Sequence, residues 1–124
     1  MRVAFILISI IFSFNTKGKV KVFTTTTNLY DIVKQVGGNK VTVESLCKGT
    51  QDPHFLEAKP SYTFKLSKAD LLVNIGAELE VGWLPLIVRG SRNPKLRIGE
   101  SGRLIASQHV RLIGVNKGNI SRSQ

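Results

Sequence analysis

A predicted strand and a predicted helix are joined by the stretch that decides the fold, GTQDPHFLEAKPS (residues 49–61). Pro53 fixes its own φ angle and biases Asp52 towards an extended conformation, so the backbone leading into His54 has few alternatives. A neutral imidazole that is held in position is a good ligand for a transition metal. The stretch therefore predicts a loop that presents His54 as a candidate metal ligand.

Outward from this loop, apolar patterns typical of strands alternate with patterns typical of helices. β-branched, partly alternating runs predict the first two strands, and a continuous apolar run predicts a strand buried on both faces. Asn28 and Ser61 are the expected N-caps of the first two helices. The predicted elements are a strand at 19–27, a helix at 28–36, strands at 41–46 and 69–75 separated by a helix at 61–69, a helix at 79–88, and short strands at 96–98 and 111–115.

This order of elements predicts the α/β class, with a parallel sheet, flanking helices and right-handed crossovers. Ligands of such sheets bind outside the carboxyl ends of the strands. Residues 24–28, 49–54 and 74–78 each follow a predicted strand, so we expect them at that edge. The Thr24–Thr27 run is expected to leave about half of its hydroxyls facing solvent, as a β-branched strand does.

Composition and charge leave an anionic partner open, either nucleic acid or another anion. The chain has 124 residues with a mean hydropathy of +0.03, which fits one folded domain, and its formal net charge is +10. The excess lies from Arg89 onward, where Glu100 is the one acid. The alternative function is therefore a small basic α/β module that binds nucleic acid or another anionic partner. Because no aromatic residue follows Trp83 to stack on bases, a solvated basic surface is favoured and no nucleic-acid partner is predicted.

The N-terminus has the pattern of an export signal. Arg2 precedes an uncharged apolar run at 3–14. This run is shorter than the ~20 residues of a membrane span but suits a signal peptide. We expect a signal peptide at 1–18, with an undefined cleavage site because no A-x-A motif is present, and a periplasmic or otherwise extracytoplasmic location. The alternative is a buried strand or a short hydrophobic helix.

The remaining reactive residues do not predict an enzyme. The chain has no nucleophile elbow, no P-loop and no G-x-G-x-x-G motif. Cys47 is the only cysteine, which excludes an intramolecular disulfide; it is expected to be a small apolar side chain at a strand end rather than a soft ligand. Glu78 and Glu80 are expected in the first turn of a helix, where negative charge complements the helix dipole.

Several motifs together resemble the metal-binding solute-binding proteins of ABC transporters, the zinc- and manganese-type periplasmic binding proteins. The matching segments are 22–33, Asp52-Pro53-His54 with Phe55-Leu56-Glu57, Lys59-Pro60-Ser61, 66–71, Asn74-Ile75-Gly76, Leu79-Glu80 and Trp83-Leu84. The resemblance extends from about Lys19 to the end of the chain. It implies a two-lobed α/β protein whose metal lies in the cleft, held by histidines of the first lobe and by further His, Asp or Glu ligands.

In this family His54 matches the first ligand histidine, and we carry over that role to His54 alone. The resemblance implies extracytoplasmic capture of a divalent transition metal ion, zinc first with manganese or iron as alternatives, and its delivery by a monomer to an ABC permease in the inner membrane. Because family members are much longer, residues 19–124 are expected to be a partial N-terminal α/β lobe, with an incomplete site that binds metal weakly.

Other candidate ligands are less well supported by the sequence. His109 matches no ligand motif and is expected to be a surface or loop residue. Asp52, Glu57 and Glu78 are acids that could assist His54, although the ordinary role of Glu57 is a surface charge. Since tight metal sites use three or four ligands, His54 alone does not complete one.

Overall fold

The computed structural model describes residues 18–113, which form a four-stranded parallel sheet with the strand order β2-β1-β3-β4. The strands and helices are β1 (Val20–Thr24), α1 (Thr27–Gly37), β2 (Val41–Ser45), α2 (Pro60–Ser67), β3 (Leu71–Asn74), α3 (Leu84–Ser91) and β4 (Arg103–Ile105). Single 3₁₀ turns lie at Gly38–Lys40, Pro94–Leu96 and Ala106–His109. The α/β class and the parallel sheet predicted from the sequence are confirmed.

Alternating side chains of the central strands fill two separate cores. Val22 of β1 and Val73 of β3 pack with Leu29 of α1 on one face. Phe23 and Leu72, their neighbours in sequence, pack on the other face with α2 and α3. The residues buried in this larger core also include Leu46, Leu56, Leu66, Ala69, Trp83, Leu84, Ile87 and Leu96. Fully burying one large apolar side chain contributes roughly 1.5–3 kcal/mol. The larger core buries more such side chains and therefore contributes most to the stability of the fold.

The first helix begins earlier than the sequence predicts. Thr26, not Asn28, is the N-cap, and its hydroxyl accepts a hydrogen bond from the Leu29 amide. The spacing of Tyr30, Ile32, Val33 and Val36 predicts one apolar stripe, but only part of it is covered, since Ile32 is 57% exposed and Val36 is 84% exposed. The helix packs instead through Leu29 and the half-buried Val33.

The second and third helices also differ from the prediction. Lys59 is the N-cap of α2, and Pro60 takes the first helical position, where the missing N–H of proline costs nothing. The third helix starts at Leu84 rather than at residue 79, with Pro85 in its first turn. Residues 76–78 all have positive φ angles, which no right-handed helix accommodates.

The prediction at the C-terminal end of the sheet was wrong. The expected strand at 96–98 is absent, because Pro94–Leu96 forms a 3₁₀ turn, and the fourth strand is Arg103–Ile105. Residues 111–113 form no strand, and the rest of the expected strand at 111–115 lies outside the described residues. So does the predicted signal peptide at 1–18, apart from Gly18.

Gly76 combines a positive φ angle with close neighbouring side chains, and its replacement is the first test. Its φ is +80°, and an ideal Cβ would lie 2.5 Å from both Ile105 Cγ2 and Ser107 Oγ. We expect Gly76→Ala to lower the free energy of unfolding by about 3 kcal/mol, from left-handed strain plus overpacking. Gly49→Ala, where a Cβ meets nothing within 4 Å, is the control and should change stability little. Equal urea midpoints for the two variants would contradict this packing.

Candidate metal site at the carboxyl edge of the sheet

The segment that follows β1 is hydrogen-bonded through its backbone to β3 on one side and to the segment that follows β2 on the other. The Thr25 amide donates to the Val73 carbonyl at 3.1 Å. The Leu46 amide donates to the Thr24 carbonyl at 2.8 Å, and the Cys47 amide donates to the Thr25 carbonyl at 3.2 Å. The ends of β1, β2 and β3 are therefore held together by backbone hydrogen bonds at the carboxyl edge of the sheet.

Glu80 lies beneath this layer as a buried carboxylate that is 3% exposed. One oxygen accepts hydrogen bonds from the Thr25 hydroxyl at 2.6 Å and the Ile75 amide at 2.8 Å. The other accepts from the Gly76 amide at 2.9 Å and the Asn74 side-chain amide at 3.3 Å. These four donors offset the cost of removing a carboxylate from water. They also fix the backbone after β3 against the end of β1.

Arg103 of β4 is hydrogen-bonded to the same network. Its Nε donates to Asn74 Oδ1 at 2.8 Å and its Nη1 donates to the Leu96 carbonyl at 3.2 Å. Burial lowers the pKa of this guanidinium, and the negative charge of Glu80 opposes that fall. Arg103 therefore supplies the charge that balances the buried carboxylate and links the edge strand to β3.

Two expectations for these residues were wrong. Glu80 is not in the first turn of a helix, and neither is Glu78, since both precede α3. The Thr24 and Thr25 hydroxyls do not face solvent: both residues are fully buried, and Thr24 Oγ1 donates to the Thr26 carbonyl. The network explains the burial of the Thr25 hydroxyl, because the buried Glu80 carboxylate requires a donor from the end of β1.

The loop that carries His54 is fastened at both sides of the histidine. The Trp83 indole N–H donates to the Pro53 carbonyl at 2.7 Å, and Trp83 itself is buried. Two residues after the histidine, Leu56 is buried in the larger core. The proline-containing loop is thus held against the turn that precedes α3, three residues from Glu80.

Within the loop, Asp52 orients His54. One carboxylate oxygen of Asp52 accepts the His54 backbone N–H at 2.9 Å and lies 2.8 Å from His54 Nδ1. The hydrogen bond from the His54 backbone, followed by the contact with its ring, lowers the pKa of Asp52. Since Nδ1 is engaged, Nε2 is the ring nitrogen left for an external ligand, and the side chain is 59% exposed. Carboxylate-bound histidines of this kind are typical of metal sites.

The other candidate ligands complete no metal-binding group with this pair among residues 18–113, and Glu78 is exposed before α3. Glu57 is exposed and lies 3.8 Å from the ammonium group of Lys59, whereas His109 is exposed in the 3₁₀ turn after β4. Cys47 is buried, its thiol donates to the Gln51 carbonyl at 3.3 Å, and burial raises its pKa. A buried thiol of raised pKa is a poor metal ligand. Between residues 18 and 113, no three His, Cys, Asp or Glu side chains are close enough together to hold a metal ion.

Within the same range, no helix has the length and apolar character that crossing a membrane requires.

Comparison with protein families gives a match over residues 22–116, most of the chain, to the family described as zinc-uptake complex component A, periplasmic. The manganese ABC transporter substrate-binding lipoprotein PsaA of Streptococcus pneumoniae is 37% identical over 80 residues. That alignment covers 62% of this chain and 26% of the relative, so the chain spans about a quarter of the curated relative's length. The family and this relative are solute-binding proteins rather than enzymes.

Two solved structures resemble the fold. Zn(II)-bound AdcA of Streptococcus pneumoniae has 30% sequence identity and a TM-score of 0.52, over 58% of this chain and 15% of that one. The metal-dependent lipoprotein YcdH of Bacillus subtilis has 26% identity and a TM-score of 0.63, over 78% of this chain and 34% of that one. The comparisons give no support to the alternative of nucleic-acid binding.

A nearly isosteric substitution of Glu80 measures how much its carboxylate contributes to the stability of the carboxyl edge of the sheet. Glu80→Gln replaces one acceptor oxygen by a donor in a site whose neighbours are mostly donors, so we expect a loss of about 2–4 kcal/mol in the free energy of unfolding. Glu78→Gln is the matched control on an exposed side chain and should stay within about 0.5 kcal/mol of the parent. A loss no larger than that of the control would show that the carboxylate is not needed.

The contact that holds the His54 loop is tested by Trp83→Phe. The change keeps an aromatic ring but removes the donor to Pro53, so we expect a loss of about 1–2 kcal/mol and faster hydrogen exchange of the Phe55 amide, which donates to the Asp52 carbonyl. Tyr62→Phe is the control, because no hydrogen bond of its hydroxyl is found among residues 18–113. Unchanged exchange at Phe55 would mean that the indole does not hold the loop.

Proposed function

Because this chain belongs to the family of the periplasmic zinc-uptake complex component A, we propose that it captures a divalent transition metal ion as cargo, with His54 as one of the ligands. The cargo is zinc or manganese, the metals named for the family and for the streptococcal relatives. The observation that carries the proposal is the geometry of the His54 loop. Its ring is exposed, anchored through the loop backbone and oriented by a carboxylate.

The chemistry of this pair suits a transition metal better than a hard cation. Imidazole is a preferred ligand of zinc and is accepted by manganese and iron, whereas calcium and magnesium favour sites built of oxygen ligands alone. The Asp52 contact at Nδ1 selects the tautomer that leaves Nε2 unprotonated, as a metal ligand must be. A capture site works with a filled coordination sphere and keeps no position open for catalysis.

For the whole protein we propose an extracytoplasmic solute-binding protein that delivers its metal to an ABC permease and acts as a monomer. Residues 1–18 are the proposed signal peptide, and residues 19–124 are the proposed part of an N-terminal α/β lobe. The names of the family and of the relatives support this assignment. The chain spans about a quarter of the relative's length. In such a protein, further ligands can come from the part outside the matched region.

The role of His54 is tested by titrating the 124-residue chain with ZnCl₂ while observing the imidazole nitrogens by NMR. We expect Nε2 of His54 to shift on binding, with Nδ1 retaining its contact to Asp52. Because the described residues offer one imidazole and one carboxylate at this point, the affinity should be weak, with a Kd above about 1 μM. His54→Gln should abolish the effect.

His109→Gln is the matched control and should leave the titration unchanged. Asp52→Asn should weaken binding by roughly 10-fold, since partners of a ligand histidine tune its affinity. A response that disappears with His109→Gln rather than with His54→Gln would contradict the assignment. A submicromolar Kd in the parent chain would show that ligands beyond this pair contribute.

A further inference from the structure

A second candidate site lies away from the His54 loop, between α3 and the segment at 93–98. The cavity there has a volume of about 350 Å³. This is within the range of natural small-molecule pockets, roughly 300–1,000 Å³. Its lining comes from α3, from the 3₁₀ turn at Pro94–Leu96 with its flanking residues, and from β4. None of the strand-end segments that surround His54 contributes to it.

One part of the cavity wall is apolar. Pro85 and Val88 line it from α3, and Leu96 and Ile98 line it from the opposite segment. Leu96 is fully buried, whereas Ile98 is 76% exposed. An exposed isoleucine beside a cavity leaves apolar surface in water that an apolar ligand would cover.

The rest of the wall carries four guanidinium groups. Arg89 and Arg92 lie at the end of α3, Arg97 follows the 3₁₀ turn, and Arg103 comes from β4. Among the residues that the structure describes, every ion pair within 4.0 Å involves a lysine or a histidine, so none of these arginines has a carboxylate partner at that distance. The buried Glu80 balances the charge of Arg103, so the like charges of the exposed Arg89, Arg92 and Arg97 remain to attract an anion.

Arg103 is the arginine of this cluster whose guanidinium is held in place by hydrogen bonds. Its hydrogen bonds to Asn74 and to the Leu96 carbonyl hold the guanidinium in place. No third hydrogen bond of this side chain is found within residues 18–113, so Nη2 is available to a ligand. The guanidinium presents paired N–H donors in a plane, which matches a carboxylate or a phosphate group.

We propose that this cavity binds a small amphipathic anion, whose carboxylate or phosphate group pairs with the arginines while its apolar body lies on the wall formed by Pro85, Val88 and Ile98. The apolar wall selects against simple inorganic anions, and the arginines select against neutral apolar molecules. The site does not depend on the proposed metal function, because no residue that lines it belongs to the His54 loop.

The test uses the 124-residue chain, labelled with ¹⁵N, and three probes: octanoate, 1-octanol and inorganic phosphate. We expect octanoate to shift the amides of residues 85–98, and to bind at least ~10-fold more tightly than the other two probes, because each of these lacks one half of the interaction. The double variant Arg89→Gln/Arg97→Gln should weaken octanoate binding at least ~10-fold. Arg111→Gln, an exposed arginine outside the cavity, is the control and should bind as the parent does.

Three results would overturn the proposal without reference to any variant. If 1-octanol binds as tightly as octanoate, the arginines do not recognise an anion. If phosphate binds as tightly, or if octanoate shifts no amide in residues 85–98, the cavity is not an amphipathic site. Unchanged chemical shifts in β1 and β2 of the double variant would show that any loss of binding arises at the cavity rather than from unfolding.

Discussion

The carboxylate of Glu80 is the group on which the functional edge of this molecule depends. It is buried, and its four donors come from the end of β1 and from the segment that leaves β3. A buried carboxylate is tolerated only with such a complete set of partners, and its bond to the Gly76 amide fixes the start of the segment 76–78, whose three φ angles are positive. Arg103 then balances the charge from β4.

The segment between β3 and α3, which contains Glu80, also holds the loop that carries the candidate metal ligand. Trp83 follows Glu80 by three residues and reaches the Pro53 carbonyl, next to His54. Leu56 inserts into the core on the far side of the histidine. An exposed ring on a loop would ordinarily sample many positions, yet here both its backbone and its Nδ1 are constrained. In the proposed capture of a metal ion, such preorganisation lowers the entropy lost on binding.

Sequence patterns predicted the parallel sheet and the position of the His54 loop because both depend on local signals: buried β-branched runs, turn residues and Pro53. They did not predict Glu80, whose sequence context resembles the first turn of a helix. Its partner Thr25 is 55 residues away, and only the fold brings the two together. The Asp52–His54 contact was easier to predict from the sequence, since an aspartate two residues before a histidine can accept its backbone N–H.

The errors in the secondary structure have a similar origin. A strand of three residues, such as Arg103–Ile105, is too short for its alternation to differ from that of a 3₁₀ turn, and its pairing with β3 decides its conformation. The predicted apolar stripe of α1 includes Ile32, Val33 and Val36, but the helix packs on the sheet through Leu29 and Val33 and leaves the other two exposed. Burial depends on where a neighbouring element packs, which periodicity alone does not specify.

The most direct measurement of the central claim is the X-ray absorption spectrum of zinc bound to this chain, recorded on a His109→Gln variant so that His54 is the only imidazole present. The account predicts one imidazole ligand at about 2.0–2.1 Å, with the remaining ligands oxygen or nitrogen and no sulfur. A spectrum without imidazole scattering would contradict the role of His54. A sulfur ligand at about 2.3 Å would instead place the metal on Cys47, which the structure buries.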